Sequence, residues 1–369
     1  MTHLLAAAVA IILSIFLAPL SIKLARRYKF MDQPEARKVH TIPKPCLGGA
    51  AIYTSFTLTC LLFLPKGLPL FTVLGGGTIF FILGLIDDRL KLSPRVKFLV
   101  ELAVAIAVVL IGIQHGFLLR NPFGSIGGTS FLIWLGVPFS VLWIVGIANA
   151  VNLIDGLDGL ASGIILIACA VLTGSAIFNP VISLNPMLPI AFGSILGYIR
   201  YNIYPSKTIM GDSGSLFLGY VIAIIALSSY VKIDHSIFFS LIPPAMALFV
   251  PIFDTFIAIL RRRINGNGIF SPDKNHLHHC LLHHGYSHPR AVLIVWGLSF
   301  AFGLVSMLLG ILIYKQVLVA MVLLGMVVVW ALTSAARMGL LKDRPDLNKD
   351  TVPFGVKVAA TSEYIRQAK

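Results

Sequence analysis

The sequence predicts an all-α fold, a polytopic membrane helix bundle of about eleven transmembrane helices with its N-terminus outside and its C-terminus cytoplasmic. Three observations carry that expectation. Of 369 residues, 57% are hydrophobic and only 12% charged, and the mean hydropathy is +0.90, a composition foreign to ordinary soluble domains. Eleven apolar runs follow one another along the chain. The basic residues between them favour alternate loops, as membrane topology requires.

The runs cover residues 4–24, 48–64, 68–86, 96–113, 131–147, 160–178, 187–203, 215–231, 237–260, 291–314 and 317–336. The first follows only Met-Thr-His, without the basic segment or cleavage site of a signal peptide, so it reads as the first span. Several are shorter than the ~20 residues that cross a bilayer comfortably, and the seventh carries Pro189, so their ends are soft. With successive loops on alternate sides, 25 of the 29 lysines and arginines fall on one side, against Lys66, Arg120, Lys232 and Lys315 on the other. The crowded side is cytoplasmic. The net charge of +14 is then mostly topogenic, and no nucleic acid partner is expected. Of the fifteen carboxylates only Asp234 falls outside, which puts any chemistry at the inner face. Cys46, Cys60, Cys169 and Cys280 stand singly, so neither a disulfide framework nor a thiolate metal site is implied.

The chemistry concentrates in a few stretches. Residues 149–159 read Asn-Ala-Val-Asn-Leu-Ile-Asp-Gly-Leu-Asp-Gly, directly after the fifth run. An aspartate in mid-span costs roughly 2.5–3.5 kcal/mol, so Asn149, Asn152, Asp155 and Asp158 must meet water, a cation or a polar ligand. Their spacing of three spirals around a helix that Gly156 and Gly159 loosen. The reading is a helix opening into a pocket-lining loop, or a turn in which Asp155 or Asp158 caps the next helix. In the first inner loop, prolines at 43 and 45 keep the chain extended, and Lys44 either holds a phosphate or joins a basic loop on anionic lipid. The third run ends in Asp87-Asp88, two carboxylates at a helix C-terminus where the partial charge is already negative. A divalent metal relieves both, and Arg89, Lys91 and Arg95 are the local alternative.

Further along, Met210-Gly-Asp212-Ser213-Gly-Ser215 opens the eighth run, either as an anion-binding turn whose Asp212 shares a metal or as a plain cap. Asp254 falls on one face with Arg261 or Arg262, which a structural ion pair explains. Glu101, within the fourth run, has no assigned role. Ser271-Pro272-Asp273 predicts the start of a short helix with His276, His279 and His283 along one side, open to zinc or to phosphate. Together these groups describe an inner-face site for a polyanion with a hard metal.

Four of these stretches, Asp87-Asp88, residues 149–159, residues 210–215 and the run from Phe270 to His279, resemble the polyprenyl-phosphate N-acetylhexosamine-1-phosphate transferases over roughly residues 26–289. His276-Leu-His278-His279 is similar to the branch that moves N-acetylglucosamine 1-phosphate onto undecaprenyl phosphate. The phospho-N-acetylmuramoyl-pentapeptide branch usually has three adjacent histidines. The resemblance implies magnesium, with manganese as a substitute, on Asp212. It implies catalysis by Asp87, Asp88 and Asp155, and substrate contacts from Lys44, Asn149, Asn152, Asp158, Asn202, Arg262, Arg263, His276, His278 and His279, with Asp158 near the uracil. It also implies undecaprenyl phosphate, a UDP-N-acetylhexosamine and the lipid bilayer as partners, and is compatible with a homodimer. Residues 1–340 would then form a transmembrane transferase domain of a bacterial inner membrane, facing the cytoplasm, and 341–369 a poorly ordered tail. A histidine-rich cation transporter is the rival class. Transporter sites sit near mid-bilayer, whereas these carboxylates gather at helix ends.

Overall fold

The computed structural model describes residues 2–34, 42–115, 135–178, 185–229, 237–268, 271, 275–315, 325–327, 330–331 and 333. The described chain opens with α1 (Thr2–Arg27), a two-residue antiparallel ladder of β1 (Met31–Asp32) on β2 (Lys44–Pro45), α2 (Gly48–Phe63), α3 (Leu68–Leu90) and α4 (Pro94–Gln114). Then follow α5 (Gly136–Ile154), α6 (Leu160–Phe178), α7 (Met187–Asn202) and α8 (Gly211–Ser229). The last elements are α9 (Ile237–Ala247), α10 (Phe249–Ile264), the short α11 (Leu277–His283) and α12 (His288–Lys315). The chain is a polytopic helical membrane protein.

Among the described residues seven helices, α1, α3, α4, α5, α6, α8 and α12, are long and apolar enough to cross a bilayer, eight if the bent pair α9–α10 counts as one span. The expected eleven differ from this for local reasons. α2 and α7 have only 16 residues each, and the run at 317–336 lies almost wholly outside the described residues, as does the tail at 341–369. The run at 237–260 is broken by 83° between α9 and α10. Pro243 and Pro244 inside α9 and Pro251 in the first turn of α10 remove amide donors from the ladder around that break.

Packing follows side-chain size. α1 buries Ala6, Ala10, Ser14, Ala18, Ser21 and Ala25, small residues mostly four apart, against α7. Small side chains let the two backbones approach, and Ser14 Oγ donates to the Ser194 carbonyl at 2.7 Å. The other face of α1 exposes Leu4, Ile12, Phe16 and Leu20, as lipid contact demands. α8 is the opposite case. Every residue from 213 to 227 is buried, with α2, α3, α5, α6 and α7 packed around it, as expected of a helix apolar on all sides. Because Asp212 is the second residue of this central helix, the N-terminal turn of the bundle's axis carries a carboxylate.

Candidate active site

Asp88, at the C-terminal end of α3, faces the N-terminal end of α8. Its carboxylate accepts the amide N–H of Asp212 at 2.8 Å and of Ser213 at 3.2 Å. A carboxylate disfavoured at its own helix C-terminus is thus stabilised at another helix's N-terminus. The helices meet closely enough that a Cβ at Gly84 would lie 2.4 Å from the Asp212 backbone, and Gly211 takes φ +69° beside the Asp88 oxygens, where a side chain would be strained. α8 is therefore capped by a residue 124 positions away, and not through its own Asp212 or Ser213 as the simple cap would have it.

Asp87 lies beside the Asp212 side chain. Its carboxylate accepts Leu92 N–H at 2.7 Å and the Lys97 ammonium at 2.9 Å, and Lys97 also donates to Asp212 at 2.6 Å. Lys97, from the first turn of α4, thus pairs with Asp87 and Asp212, a cation that was not among the expected Arg89, Lys91 and Arg95. Asn152 hydrogen-bonds Asp212. Asn149 lies deeper, bonded to Glu101 and to the Val145 carbonyl, which gives Glu101 the partner that the sequence did not reveal.

The loop between α5 and α6 supplies the second wall. α5 ends at Ile154, and Asp155 and Asp158 follow in irregular chain that turns into α6 at Gly159, φ +79°. Lys44 on β2 donates to both Asp158 oxygens, at 2.9 and 2.7 Å, and to Ser206 Oγ at 2.8 Å. Ser206 N–H also reaches Asp158, at 3.1 Å. Burial works to raise the Asp158 carboxyl, but Lys44 and Ser206 outweigh it and hold it below its usual value. Asp155 is pushed well above that range, by burial and then by the Asp212, Asp88 and Asp158 carboxylates. Asn202, buried at the end of α7, accepts from Ser162 at 2.8 Å and donates to the Thr208 carbonyl at 3.1 Å.

Of the histidine cluster His279 lines the cavity, and His276 and His278 do not. α11 begins at Leu277; residues 272–274, the expected helix start, lie outside the described residues. Asp254 of α10 accepts Leu277 N–H at 2.8 Å and pairs with His276 Nδ1 at 2.7 Å, so its partner is a histidine where an arginine was expected. His278 is buried, with both ring nitrogens unpartnered among the described residues. Burial and then the neighbouring His279 hold its pKa down at about 3, so the ring is neutral. Arg262 is partly buried and Arg263 exposed at the end of α10, and neither lines the cavity.

One cavity of about 290 Å³ joins these walls, at the lower edge of small-molecule sites. Of the expected residues, Lys44, Asp88, Asp155, Asp158, Asn202, Asp212 and His279 line it. Asp32, Cys46, Lys91, Tyr204, Ile209 and His288 do so as well; of these the sequence marks only Lys91, as a neighbour of the acidic pair, and folding brings in the rest. Burial first, then Asp88, raises the Cys46 thiol well above its usual value, so it is a poor nucleophile. Among the described residues no three His, Cys, Asp or Glu side chains form a ready-made metal cage. Magnesium needs none, because one or two carboxylates, substrate phosphates and water complete its shell. Asp212, with Asp155 beside it and only carboxylates acting on that neighbour, has the donor chemistry for such an ion.

The profile of glycosyl transferase family 4 matches residues 70–230, the segment that contributes Asp88, Asp155, Asp158, Asn202 and Asp212. A Bacillus subtilis protein named a probable undecaprenyl-phosphate N-acetylglucosaminyl 1-phosphate transferase is 38% identical over 304 residues, 82% of this chain and 83% of that one. The chain belongs to glycosyl transferase family 4. Within it, a Mycobacterium leprae decaprenyl-phosphate N-acetylglucosaminephosphotransferase is 33% identical over 80% of this chain and 81% of its own length. A Bacillus thuringiensis phospho-N-acetylmuramoyl-pentapeptide-transferase is 30% identical over 84% and 98%. Family membership and the apolar helices agree in making this a multi-pass bacterial membrane protein.

Proposed function

We propose that the chain transfers N-acetylglucosamine 1-phosphate from UDP-N-acetylglucosamine to undecaprenyl phosphate, giving the lipid-linked diphosphate sugar and UMP. The observation that carries this reading is the cavity shared by Asp88, Asp155, Asp158, Asp212 and Lys44, residues drawn from four separate segments. The names of the Bacillus subtilis and Mycobacterium leprae relatives favour an N-acetylglucosamine donor over the muramoyl-pentapeptide donor named in the more distant branch. The cavity lies where α3, α5 and α7 end and α8 and α12 begin, the end to which the positive-inside count assigns the cytoplasm. A soluble nucleotide-sugar and a lipid phosphate can meet there.

In the reaction an oxygen of the lipid phosphate attacks the sugar-bearing phosphorus, a new P–O bond forms, and the bond to UMP breaks. A phosphate monoester is largely dianionic at neutral pH, its second pKa being about 6, so the attack needs little base catalysis. Positioning and charge neutralisation are the main requirements. Asp212 would hold magnesium with Asp155, and the ion would neutralise charge on the diphosphate when bound. Asp88, with both oxygens engaged by α8 amides, orients the Asp212 turn and does not act as a covalent nucleophile. Lys97 fixes the geometry of Asp87 and Asp212. Lys44 and Asp158 shape the nucleotide end, and His279 faces the same space. Purified protein should release UMP from UDP-N-acetylglucosamine only with both undecaprenyl phosphate and magnesium present. Exchange of UMP into UDP-sugar without lipid would instead show a covalent route, and no UMP release from any UDP-sugar would defeat the assignment.

A further inference from the structure

His288, the first residue of α12, lies outside every stretch that the sequence marks as chemical, yet it lines the cavity. Its Nε2 accepts the backbone N–H of Asp158 at 3.1 Å. An accepting Nε2 needs a lone pair, so the ring is neutral with its proton on Nδ1. The imidazole also stacks on Tyr204, with centroids 4.5 Å apart and planes 29° from parallel. Tyr204 belongs to the turn that delivers Ser206 N–H to the Asp158 carboxylate. Asp158 is therefore held twice over. Lys44 and Ser206 hold its side chain, whereas His288 holds its backbone and connects it to the Tyr204 turn.

We infer that His288 is a positioning residue for the nucleotide end of the cavity: its acceptor nitrogen and its stack on Tyr204 lock the loop carrying Asp155 and Asp158 onto the start of α12. The inference rests on the proposed transferase reading for its kinetic readout alone. Backbone amides are paired when they can be, and a loop that must present two carboxylates to a polyanion against their mutual repulsion needs such anchoring. The lock joins three segments distant in sequence, so its loss loosens the nucleotide wall without touching the α3–α8 contact, where Asp88 meets Asp212.

Two amide substitutions separate the parts of the ring. In His288→Gln the side-chain carbonyl can replace the Nε2 acceptor, in His288→Asn the shorter amide overlays Nδ1 and cannot reach Asp158, and His288→Phe keeps the stack alone. With full-length protein in lipid nanodiscs, His288→Phe and His288→Asn should raise KM for UDP-N-acetylglucosamine about tenfold or more. KM for undecaprenyl phosphate should stay within about twofold, and His288→Gln should restore the nucleotide KM to within about threefold. Hydrogen–deuterium exchange of the peptide spanning 155–160 should quicken in the Phe variant and recover in the Gln variant. Equal damage in Gln and Phe, parallel rises in both KM values, or unchanged exchange in Phe would each overturn the inference. If wild-type protein turns over no UDP-sugar while the exchange pattern holds, the transferase reading fails and the lock stands.

Discussion

The two ends of the cavity are built on opposite electrostatic plans. Where α3 meets α8, Asp87 and Asp212 share the ammonium of Lys97, Asp88 takes the amides at the start of α8, and Asp155 lies near them. At the other end Asp158 has Lys44 bidentate with Ser206 behind it. Among the described residues carboxylates crowd the first end, whereas at the second a carboxylate is matched by its own ammonium. The difference teaches that the first end is arranged to receive a cation or to surround one, and the second to hold a shape into which a ligand fits.

The comparison can be broken most directly at Asp212. Asp212→Asn should lower the rate of UMP release by roughly 10³-fold or more, in line with losing a central electrostatic group, with far-UV circular dichroism unchanged; full activity would end the cation reading. Asp88→Asn should cost less, about 10²-fold in rate, together with a lower thermal midpoint, because one amide of α8 loses its carboxylate acceptor. Lys44→Met should chiefly raise KM for the nucleotide-sugar, by roughly tenfold, since truncating one partner of a part-buried pair leaves the other uncompensated.

That last variant also gives a pH test. The Asp158 carboxyl is held below its usual 3.8, so the pair's contribution to stability is fully present above that value and is lost as pH falls through the folded pKa. The gap in thermal midpoint between wild type and Lys44→Met should accordingly be level from pH 8 to about 5 and close only below about 4. A gap that closes near pH 6 would mean that another group sets it. The smallest effect is expected at Arg263, which is exposed and away from the cavity. Arg263→Gln should change either KM by less than about threefold, and a larger shift would extend the nucleotide end to the tip of α10.

Much of the site is legible in the sequence because a carboxylate in an apolar chain is expensive and so conspicuous. Asp155 and Asp158 are found on that ground, Asp88 as one of a pair at a helix C-terminus and Asp212 in a glycine-rich turn at a helix start, and all four line the cavity. Lys97 escapes notice because a lysine near a helix start reads as one more topogenic charge. His288 escapes because a lone histidine at the head of an apolar run carries no pattern. Asn149 is conspicuous by the same logic as its neighbours, yet it is spent within the bundle on Glu101. The bend between α9 and α10 is not in the sequence reading, which takes 237–260 as one run although three prolines stand around the break.

Composition and charge distribution determined by themselves that this chain lives in a bilayer as helices, because backbone amides in hydrocarbon must be satisfied within their own segment. They also determined which side chains could not face lipid. Only the tertiary structure decided who neutralises whom: that Asp88 caps α8, that Lys97 bridges Asp87 to Asp212, that Asp254 takes a histidine, and that His288 secures Asp158. Such pairings span up to 130 positions and depend on which helix ends meet, and no local period or spacing encodes that meeting.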